Sequence, residues 1–244
     1  MEEISIKAQE LFSVGGVGIT NSLFLTLVVS CVLLALTAVL YRNIQLVPGK
    51  LQAVAEMGTE KLLTLMEGTL GSAKQAELYF PLIATIFIFI MFSNILGIFP
   101  GVGSLHIHHN GHPVPLFRSP AADLNFTIAF AIISVIVTNI LGALAVGVKA
   151  HAGKFFNFTN PIKFFIGILE IVSEVAKIIS LSFRLFGNVF AGEVLLIIVF
   201  FLAPYFIPLP FLFLELFVGL IQAFLFAMLT LVSISLHTSV HEQH

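Results

Sequence analysis

Long runs of apolar residues follow one another along almost the whole of this sequence. A helix that crosses a bilayer needs about 20 mostly apolar residues. Five runs are long enough, and they cover residues 22–41, 79–99, 122–148, 161–203 and 208–237. The first two contain no charged residue, the third begins beside Asp123, and the last two carry charges inside the apolar run. The pattern predicts an all-α integral membrane protein with about five membrane segments.

The segment between the first two runs, residues 47–77, follows a different pattern. Its apolar and charged residues recur at helical spacing on mostly opposite sides: Leu51, Val54, Leu62, Met66 and Leu70 against Glu56, Glu60, Lys61, Glu67 and Lys74. Such a segment is typical of an amphipathic helix at the membrane surface. We expect an interfacial helix here, and a helix in a soluble loop is the alternative.

These elements divide the chain into six parts. In order they are an outside N-terminal tail (1–21), the first span (22–41), the interfacial helix (47–77), a two-span hairpin with a His-rich outside loop (79–148), a region of two long helices (161–237) and an inside C-terminal tail (238–244).

Basic residues indicate which side of the membrane each loop faces, because loops rich in Lys and Arg stay inside. With the N-terminus outside, seven basic residues fall in inside loops: Arg42, Lys50, Lys61, Lys74, Lys149, Lys154 and Lys163. Two, Lys7 and Arg118, then fall outside. We therefore place the N-terminus outside and the C-terminus inside.

Composition narrows the function. Of 244 residues, 58% are hydrophobic and 10% are charged, the mean hydropathy is +1.07 and the formal net charge is −2. A soluble enzyme would be about half apolar and a quarter charged, and a nucleic-acid binder would carry a basic patch. The composition therefore excludes both of these classes of protein. The single cysteine, Cys31, has no partner for an internal disulfide. The acidic start of the chain indicates neither a secretory signal nor a transit peptide.

Four histidines lie in the loop before the third span, and clustered His can bind zinc or copper. They are His106, His108, His109 and His112. Their spacing fits no common site and the loop supplies no Cys companion, so we expect a polar turn and no metal site.

The fourth membrane segment carries its polar residues as one stripe. Steps of 4, 3, 7 and 4 residues separate Glu170, Glu174, Lys177, Arg184 and Asn188, with Ser173 and Ser180 alongside. This spacing keeps the residues on one face of a helix. A helix over 161–203 would be about 60 Å long, against a hydrocarbon core of about 30 Å. It must therefore tilt, kink or project from the bilayer.

Arg184 is the most informative member of the stripe, because no acidic residue lies three or four positions from it. An arginine at mid-bilayer costs about 3 kcal/mol or more, and it normally faces a partner or a water-filled cavity. We expect a functional role, and a structural salt bridge inside the bundle is the alternative. For Glu170 and Lys177, functional and structural roles both stay open.

The last segment adds Glu215 and Gln222 on one helical face. In the expected orientation, Glu193 and Glu215 form an outer acidic group, and Glu170 and Glu174 form an inner one. The middle group consists of Arg184, Asn188 and Gln222. Arginine stays protonated and cannot relay protons, so the layout suits a gate between two half-channels. The carboxylate that carries the proton would then belong to a partner.

Four stretches resemble the bacterial-type subunit a of the F-type ATP synthase. The most specific is Ser180-Leu-Ser-Phe-Arg-Leu-Phe-Gly-Asn-Val-Phe-Ala-Gly-Glu193. The others are Phe92-Ser-Asn-Ile-Leu-Gly97, Pro120-Ala-Ala-Asp-Leu-Asn125 and Gln222-Ala-Phe-Leu-Phe-Ala-Met-Leu-Thr230. The resemblance extends from about Val47 to the end.

The resemblance implies a non-catalytic stator subunit, without cofactor, that passes protons to a rotating ring of c subunits. Its last two helices would be tilted along the ring. Arg184 would hold the ring carboxylate and separate two half-channels, and the outer one would be lined by Asn188, Glu193, Glu215 and Gln222. Some relatives carry His at the position of Glu215, where this chain has a second acid. The inner half-channel would include Glu170, Ser173, Glu174, Lys177 and Ser180.

The implied partners are the c-ring carboxylates, the b-subunit stator stalk, the rest of the complex and the lipid bilayer, with no nucleic acid. The implied location is the bacterial inner membrane.

Three other classes of membrane protein are alternatives. A proton- or sodium-coupled transporter is the main alternative, although the chain has few spans for an internal repeat. A membrane metalloenzyme lacks a supporting motif, and a scaffold protein would not need Arg184 inside the bilayer.

Overall fold

The computed structural model describes residues 8–14, 16–99, 105–109, 112–155 and 160–238. Seven α-helices make up most of this part of the chain: α1 (Asn21–Arg42), α2 (Lys50–Leu70), α3 (Ala73–Ile98), α4 (Leu124–Val146), α5 (Val148–Phe155), α6 (Pro161–Leu202) and α7 (Pro208–Thr238). Helices α1, α3, α4, α6 and α7 are long and apolar enough to cross a membrane. The predicted all-α membrane fold with about five spans is confirmed.

The helix ends follow the local sequence. Thr20 accepts a hydrogen bond from the amide of Leu23 at the start of α1, and Asp123 accepts one from Asn125 at the start of α4. These side chains satisfy amides that have no partner within the helix. Helix α2 ends at Gly71, whose φ of +69° is easily adopted by glycine.

The segment predicted as one amphipathic helix over 47–77 is two elements. Helix α2 stops at Leu70, and the chain reverses at Gly71 before α3 begins at Ala73. The apolar periodicity continues across this turn, which is why the sequence predicted a longer helix. Leu62 and Met66 are buried against the bundle, where α2 contacts α3 and α7.

Two short antiparallel hairpins accompany the helices, and the sequence analysis predicted neither. Strands β1 (Glu10–Val14) and β2 (Val17–Thr20) pair within the N-terminal tail. Strands β3 (His106–His109) and β4 (His112–Pro115) pair within the His-rich loop, where the backbone of His109 lies opposite His112. Residues 1–7 of the N-terminal tail and 239–244 of the C-terminal tail lie outside the described residues.

The core of the bundle forms where α3, α4, α6 and α7 meet. Small and weakly polar side chains join these helices at close range. Asn94 on α3 donates to the carbonyl of Gly219 on α7 at 2.8 Å, and Ser134 on α4 shares a hydrogen bond with Thr230 on α7 at 2.8 Å. Bonds of this kind are typical of helix contacts within membranes. They hold α7 in register beside α6, which carries the polar stripe.

Helix α6 contains 42 residues and is therefore about 63 Å long. Proline at its first position has no amide that needs a partner. Helix α7 has 31 residues and a mostly apolar surface. The predicted tilt of the two helices relative to a bilayer stays a prediction.

Candidate ion pathway along the last two helices

Helices α6 and α7 run antiparallel, so residues far apart in sequence meet at three levels. At one end the Glu215 carboxylate lies against Gly192. In the middle, Arg184 and Gln222 line one small pocket. At the other end, Glu174 lies 3.4 Å from His237. For simplicity we call these the outer, middle and inner levels, after the orientation that the sequence predicts.

The outer level joins two acidic residues and one arginine. A Cβ added at Gly192 would lie 2.9 Å from Oε1 of Glu215, so glycine allows this buried carboxylate to approach α6. The neighbouring Glu193 is half-buried, and its Oε2 lies 3.6 Å from Nε of Arg118. Arg118 is only 8% exposed, and its guanidinium lies 6.0 Å from the centre of the Phe190 ring.

Arg118 therefore supplies an internal cation close to the outer acids. The sequence analysis counted it only as an outside basic residue. Glu215 differs from Glu193, because no basic side chain lies within 4.0 Å of its carboxylate in the part of the chain that the structure describes. Its Oε2 is buried and has no hydrogen-bond partner among those residues. A buried carboxylate oxygen without a partner is costly. The outer level thus contains one acid beside a cation and one acid that lacks a donor.

The middle level is open on the α6 side. Arg184 and Asn188 are both exposed, and Nη2 of Arg184 donates to Oγ of Ser180 at 3.2 Å. Among the described residues, no carboxylate lies within 4.0 Å of the Arg184 guanidinium. Gln222 is buried on the α7 side. A small pocket between the helices is lined by Leu181, Arg184, Leu185, Gln222, Phe226 and Leu229.

The inner level is a closed polar network around Glu174. Its Oε1 accepts a hydrogen bond from Nζ of Lys177 at 2.6 Å, and its Oε2 accepts one from Nδ2 of Asn139 at 3.1 Å. The Asn139 side chain comes from α4, and His237 from the end of α7 adds Nε2 at 3.4 Å from Oε1. The alternative of a structural salt bridge therefore fits Glu174 and Lys177 better than Arg184.

His151 on α5 extends the network. Its Nε2 lies in hydrogen-bond contact with Oδ1 of Asn139 at 3.2 Å, and its ring centre is 5.7 Å from that of His237. Burial, followed by the nearby charge of Lys154, lowers the pKa of His151 below its ordinary value. The imidazole is therefore expected to be neutral at physiological pH, with its proton placed to suit the Asn139 oxygen.

The remaining predicted inner residues lie at the edge of this network. Glu170 is half-buried, and one ligating atom each from Glu170, Glu174 and His237 lie within 4.8 Å of one another. Ser173 is exposed, and Ser180 is exposed beside Arg184. The structure thus brings Glu170, Glu174 and Lys177 together and leaves Ser173 on the surface.

The network contains three residues that the sequence analysis missed: Asn139, His151 and His237. Asn139 lies inside an apolar run and His237 at the end of another, and polar residues in such runs are costly and often functional. That signal was present for Asn139 and His237. No spacing in the sequence indicated that the three residues meet around Glu174, because they lie on three different helices.

The expectation of no metal site at the loop histidines stays a prediction. Their backbone lies in β3 and β4. Helix α1 joins the bundle near this end of the molecule through Ser22, which donates to Oδ2 of Asp123 at 2.6 Å. The candidate pathway therefore rests on α6 and α7, with Arg118, Asn139 and His151 contributed by the elements around them.

Comparisons with known proteins identify the family of the chain. The sequence model of the ATP synthase A chain family matches residues 22–235. ATP synthase subunit a of Campylobacter jejuni subsp. jejuni serotype O:23/36 is 38% identical over 206 residues, which cover 83% of each chain. The same-named protein of Syntrophobacter fumaroxidans is 37% identical over 211 residues, covering 84% of this chain and 79% of the relative. That of Moorella thermoacetica is 32% identical over 230 residues, covering 94% and 96%. With most of its length matched both by the family and by these relatives, the chain belongs to the ATP synthase A chain family.

Proposed function

We propose that this chain is the stator membrane subunit of an F-type ATP synthase and conducts protons across the membrane without catalysing chemistry itself. Family membership supports the role in a proton-translocating membrane sector. The finer proposal is that two offset half-channels meet a rotating ring of c subunits. Arg184 separates these half-channels, so that protons cross only by riding on the ring.

The exposed position of Arg184 carries this proposal. Its charge lies on the open face of a membrane helix, and no carboxylate of the described chain neutralises it. The surrounding surface is apolar, with Ile179 and Phe183 both more than half exposed. A lone guanidinium among lipid tails would cost several kcal/mol, roughly 3 or more. A carboxylate presented by a partner subunit removes this cost and gives the arginine its function.

The two half-channels follow from the levels along α6 and α7. In the proposal, Asn188, Glu193, Glu215 and Gln222 line the outer half-channel. Glu170, Ser173, Glu174, Lys177 and Ser180 line the inner one. The guanidinium between them stays charged at any accessible pH, so it attracts a carboxylate and cannot pass a proton on.

The proposal also specifies the surroundings of the subunit. The N-terminus lies outside and the C-terminus in the cytoplasm of a bacterium, because this orientation keeps most of the basic residues inside. The partners are the c-ring carboxylates, the b-subunit stator stalk and the rest of the complex. The transported ion is the proton.

The decisive experiment compares ATP-driven acidification of membrane vesicles carrying the wild-type complex, Arg184→Ala and Lys163→Ala. Lys163 is the matched control, because it is another exposed cation of the same helix, in its first turn. Arg184→Ala should abolish pumping while the complex remains assembled, and Lys163→Ala should pump normally. Normal pumping by Arg184→Ala would contradict the proposed role of Arg184 as a gate. It would favour an ion-coupled transporter in which the arginine is structural.

A further inference from the structure

His237 is a buried titratable group at the inner level that the proposed half-channels do not use, and it is the one that lies beside a carboxylate. It is 3% exposed and lies at the end of α7. Its Nδ1 lies 2.6 Å from the carbonyl oxygen of Ser233, four residues earlier. At this distance the Nδ1 atom carries a proton and donates it to the carbonyl, which fixes the tautomer of the neutral ring.

The fixed tautomer leaves the other ring nitrogen without a donor. In the neutral ring, Nε2 points a lone pair towards Oε1 of Glu174 at 3.4 Å, and both atoms are acceptors. Nε2 is buried and has no hydrogen-bond partner among the described residues. A proton on Nε2 converts this contact of two acceptors into an ion pair. The geometry therefore favours the uptake of one proton at this atom.

The charges around His237 lead to the same conclusion. Helix α6 presents Glu170, Glu174 and Lys177, which together carry one net negative charge when the histidine is neutral. Helix α5 presents His151, with Lys154 on the same element. Helix α4 presents Asn139 and Gly142, and its sequence contains no titratable residue.

Helices α2 and α3 also pack against α7, but none of their charged side chains lies within ion-pair distance of His237 in the described structure. On α3, Lys74 and Glu77 are exposed. One positive charge more at His237 would therefore neutralise the set formed by Glu170, Glu174 and Lys177. A divalent metal ion would supply two charges, and Lys177 already occupies Oε1 of Glu174 at 2.6 Å. A hard monovalent ion such as sodium prefers oxygen ligands to an imidazole nitrogen. A proton is therefore the cation that fits Nε2.

We propose that His237 is a proton-carrying residue of the inner half-channel, and that it shares one proton with Glu174 and Glu170. This inference rests on the proposed function. Glu170 is half-buried, so its carboxyl group exchanges protons with water. When its O–H bond breaks towards the cluster, the N–H bond at Nε2 forms, and imidazolium and carboxylate remain. The reverse transfer returns the proton to Glu170 and restores the neutral ring.

The first arm of the test compares His237→Gln with Thr238→Val in vesicles that contain the assembled complex. Thr238 is the matched control, because it is the next residue of the same helix and its hydroxyl donates only to the backbone carbonyls of Ile234 and Ser235. His237→Gln should reduce proton flux by about tenfold or more, as removal of a proton-transfer group does. The pH profile of the remaining flux should differ from that of the wild type, because the proton-transfer group is missing. Thr238→Val should retain both flux and pH profile.

The second arm separates proton transfer from packing. His237→Ala leaves space for a small ring, and imidazole added to the vesicles should restore part of the flux. Pyrazole has the same shape but is hardly protonated near neutral pH, so it should restore none. Equal rescue by both rings, no rescue by imidazole, normal flux in His237→Gln, or loss of assembly in both His237 variants would each overturn the proposal.

Arg184→Ala in the same vesicles distinguishes the two proposals. If Arg184→Ala abolishes pumping while the His237 variants pump normally, the inference about His237 fails and the proposed function stands. If Arg184→Ala pumps normally, the proposed function itself fails.

Discussion

Arg184 and Glu174 belong to the same stripe of the same helix, yet the protein treats them in opposite ways. They are ten residues apart, or about 15 Å along α6. Glu174 is buried and meets Lys177, Asn139 and His237, so two other helices contribute to its neutralisation. Arg184 is exposed and bonds only to Ser180 within the described chain.

The contrast teaches how a membrane protein treats a charge that meets its partners within the chain and a charge that meets its partner on another subunit. A charge needed by the fold is neutralised by the chain itself, because the bilayer cannot solvate it. A charge left open on an apolar face awaits a group from elsewhere. This difference between the inner and middle levels predicts that equivalent mutations will have unequal consequences.

The largest expected contrast comes from exchanging the two kinds of cation. Arg184→Lys should reduce ATP-driven pumping by about tenfold or more, because an ammonium lacks the planar fork that grips a carboxylate with two bonds. Lys177→Arg should retain most of the pumping, because its partner Glu174 accepts a cation of either shape. Pumping assays on vesicles with matched amounts of complex test both variants. Equal losses of pumping in the two variants would contradict the difference between the middle and inner levels.

Removing the centre of the inner network should lower stability as well as proton flux. Glu174→Ala leaves Lys177, Asn139 and His237 without their shared acceptor, which should cost about 1–3 kcal/mol. Thermal unfolding of the detergent-solubilised complex measures this loss. Ser173→Ala is the control on the exposed side of the same helix, where changes usually stay within about 0.5 kcal/mol. Similar unfolding temperatures for the two variants would contradict the closed network.

The two outer acids should differ in their effect on stability when each is changed to the neutral amide. Glu193→Gln takes the carboxylate from the buried Arg118 and should lower stability by about 1–3 kcal/mol. Glu215→Gln replaces a carboxylate whose Oε2 lacks a donor, so stability should stay within about 1 kcal/mol. Proton flux should slow in both variants and most in the double variant. Unchanged flux in the double variant would remove both residues from the pathway.

The smallest effect should come from Gly187, which we compare with Gly142 because the two glycines differ in their surroundings. A Cβ at Gly142 would lie 2.8 Å from Cβ of His237 and 3.1 Å from Cε1 of His151, so Gly142→Ala should cost about 1–3 kcal/mol. A Cβ at Gly187 would meet no atom within 4 Å. Gly187→Ala should leave the chain stable, with a gain of up to about 1 kcal/mol from helix propensity.

The same Gly187→Ala variant also tests the open face around Arg184. If pumping falls while the thermal stability of the chain holds, a partner packs closely against this face. Full pumping would show that the face leaves room for a methyl group. Thermal unfolding and vesicle acidification, measured on the same preparations, decide between these outcomes.

Much of the architecture was predictable because the bilayer imposes a simple rule. Apolar runs of about 20 residues must form helices, since no other open structure satisfies the backbone in lipid. The break at Gly71 was not predicted, because the apolar periodicity runs through it and a positive φ leaves no mark in that pattern. The β1–β2 and β3–β4 hairpins were missed for a related reason, since each strand has only four or five residues.

The candidate site was predictable along single helices and not between them. Helical spacing alone aligned Arg184 with the acids of α6, and the motif around it indicated the family. The partners of those acids, Arg118, Asn139 and His237, lie between 35 and 75 positions away from the residues they contact. Spacing within a helix carries no information about contacts at that separation.

The sequence by itself determined the class of the protein, its membrane helices and the stripe that includes Arg184. These features depend on local composition and on the 3.6-residue period of one helix. The tertiary structure decided which charges are neutralised within the chain and which stay open. Packing of α4, α5 and α7 around α6 encloses Glu174 and leaves Arg184 on the surface, because neutralising a charge in a low-dielectric interior requires contacts from several helices at once.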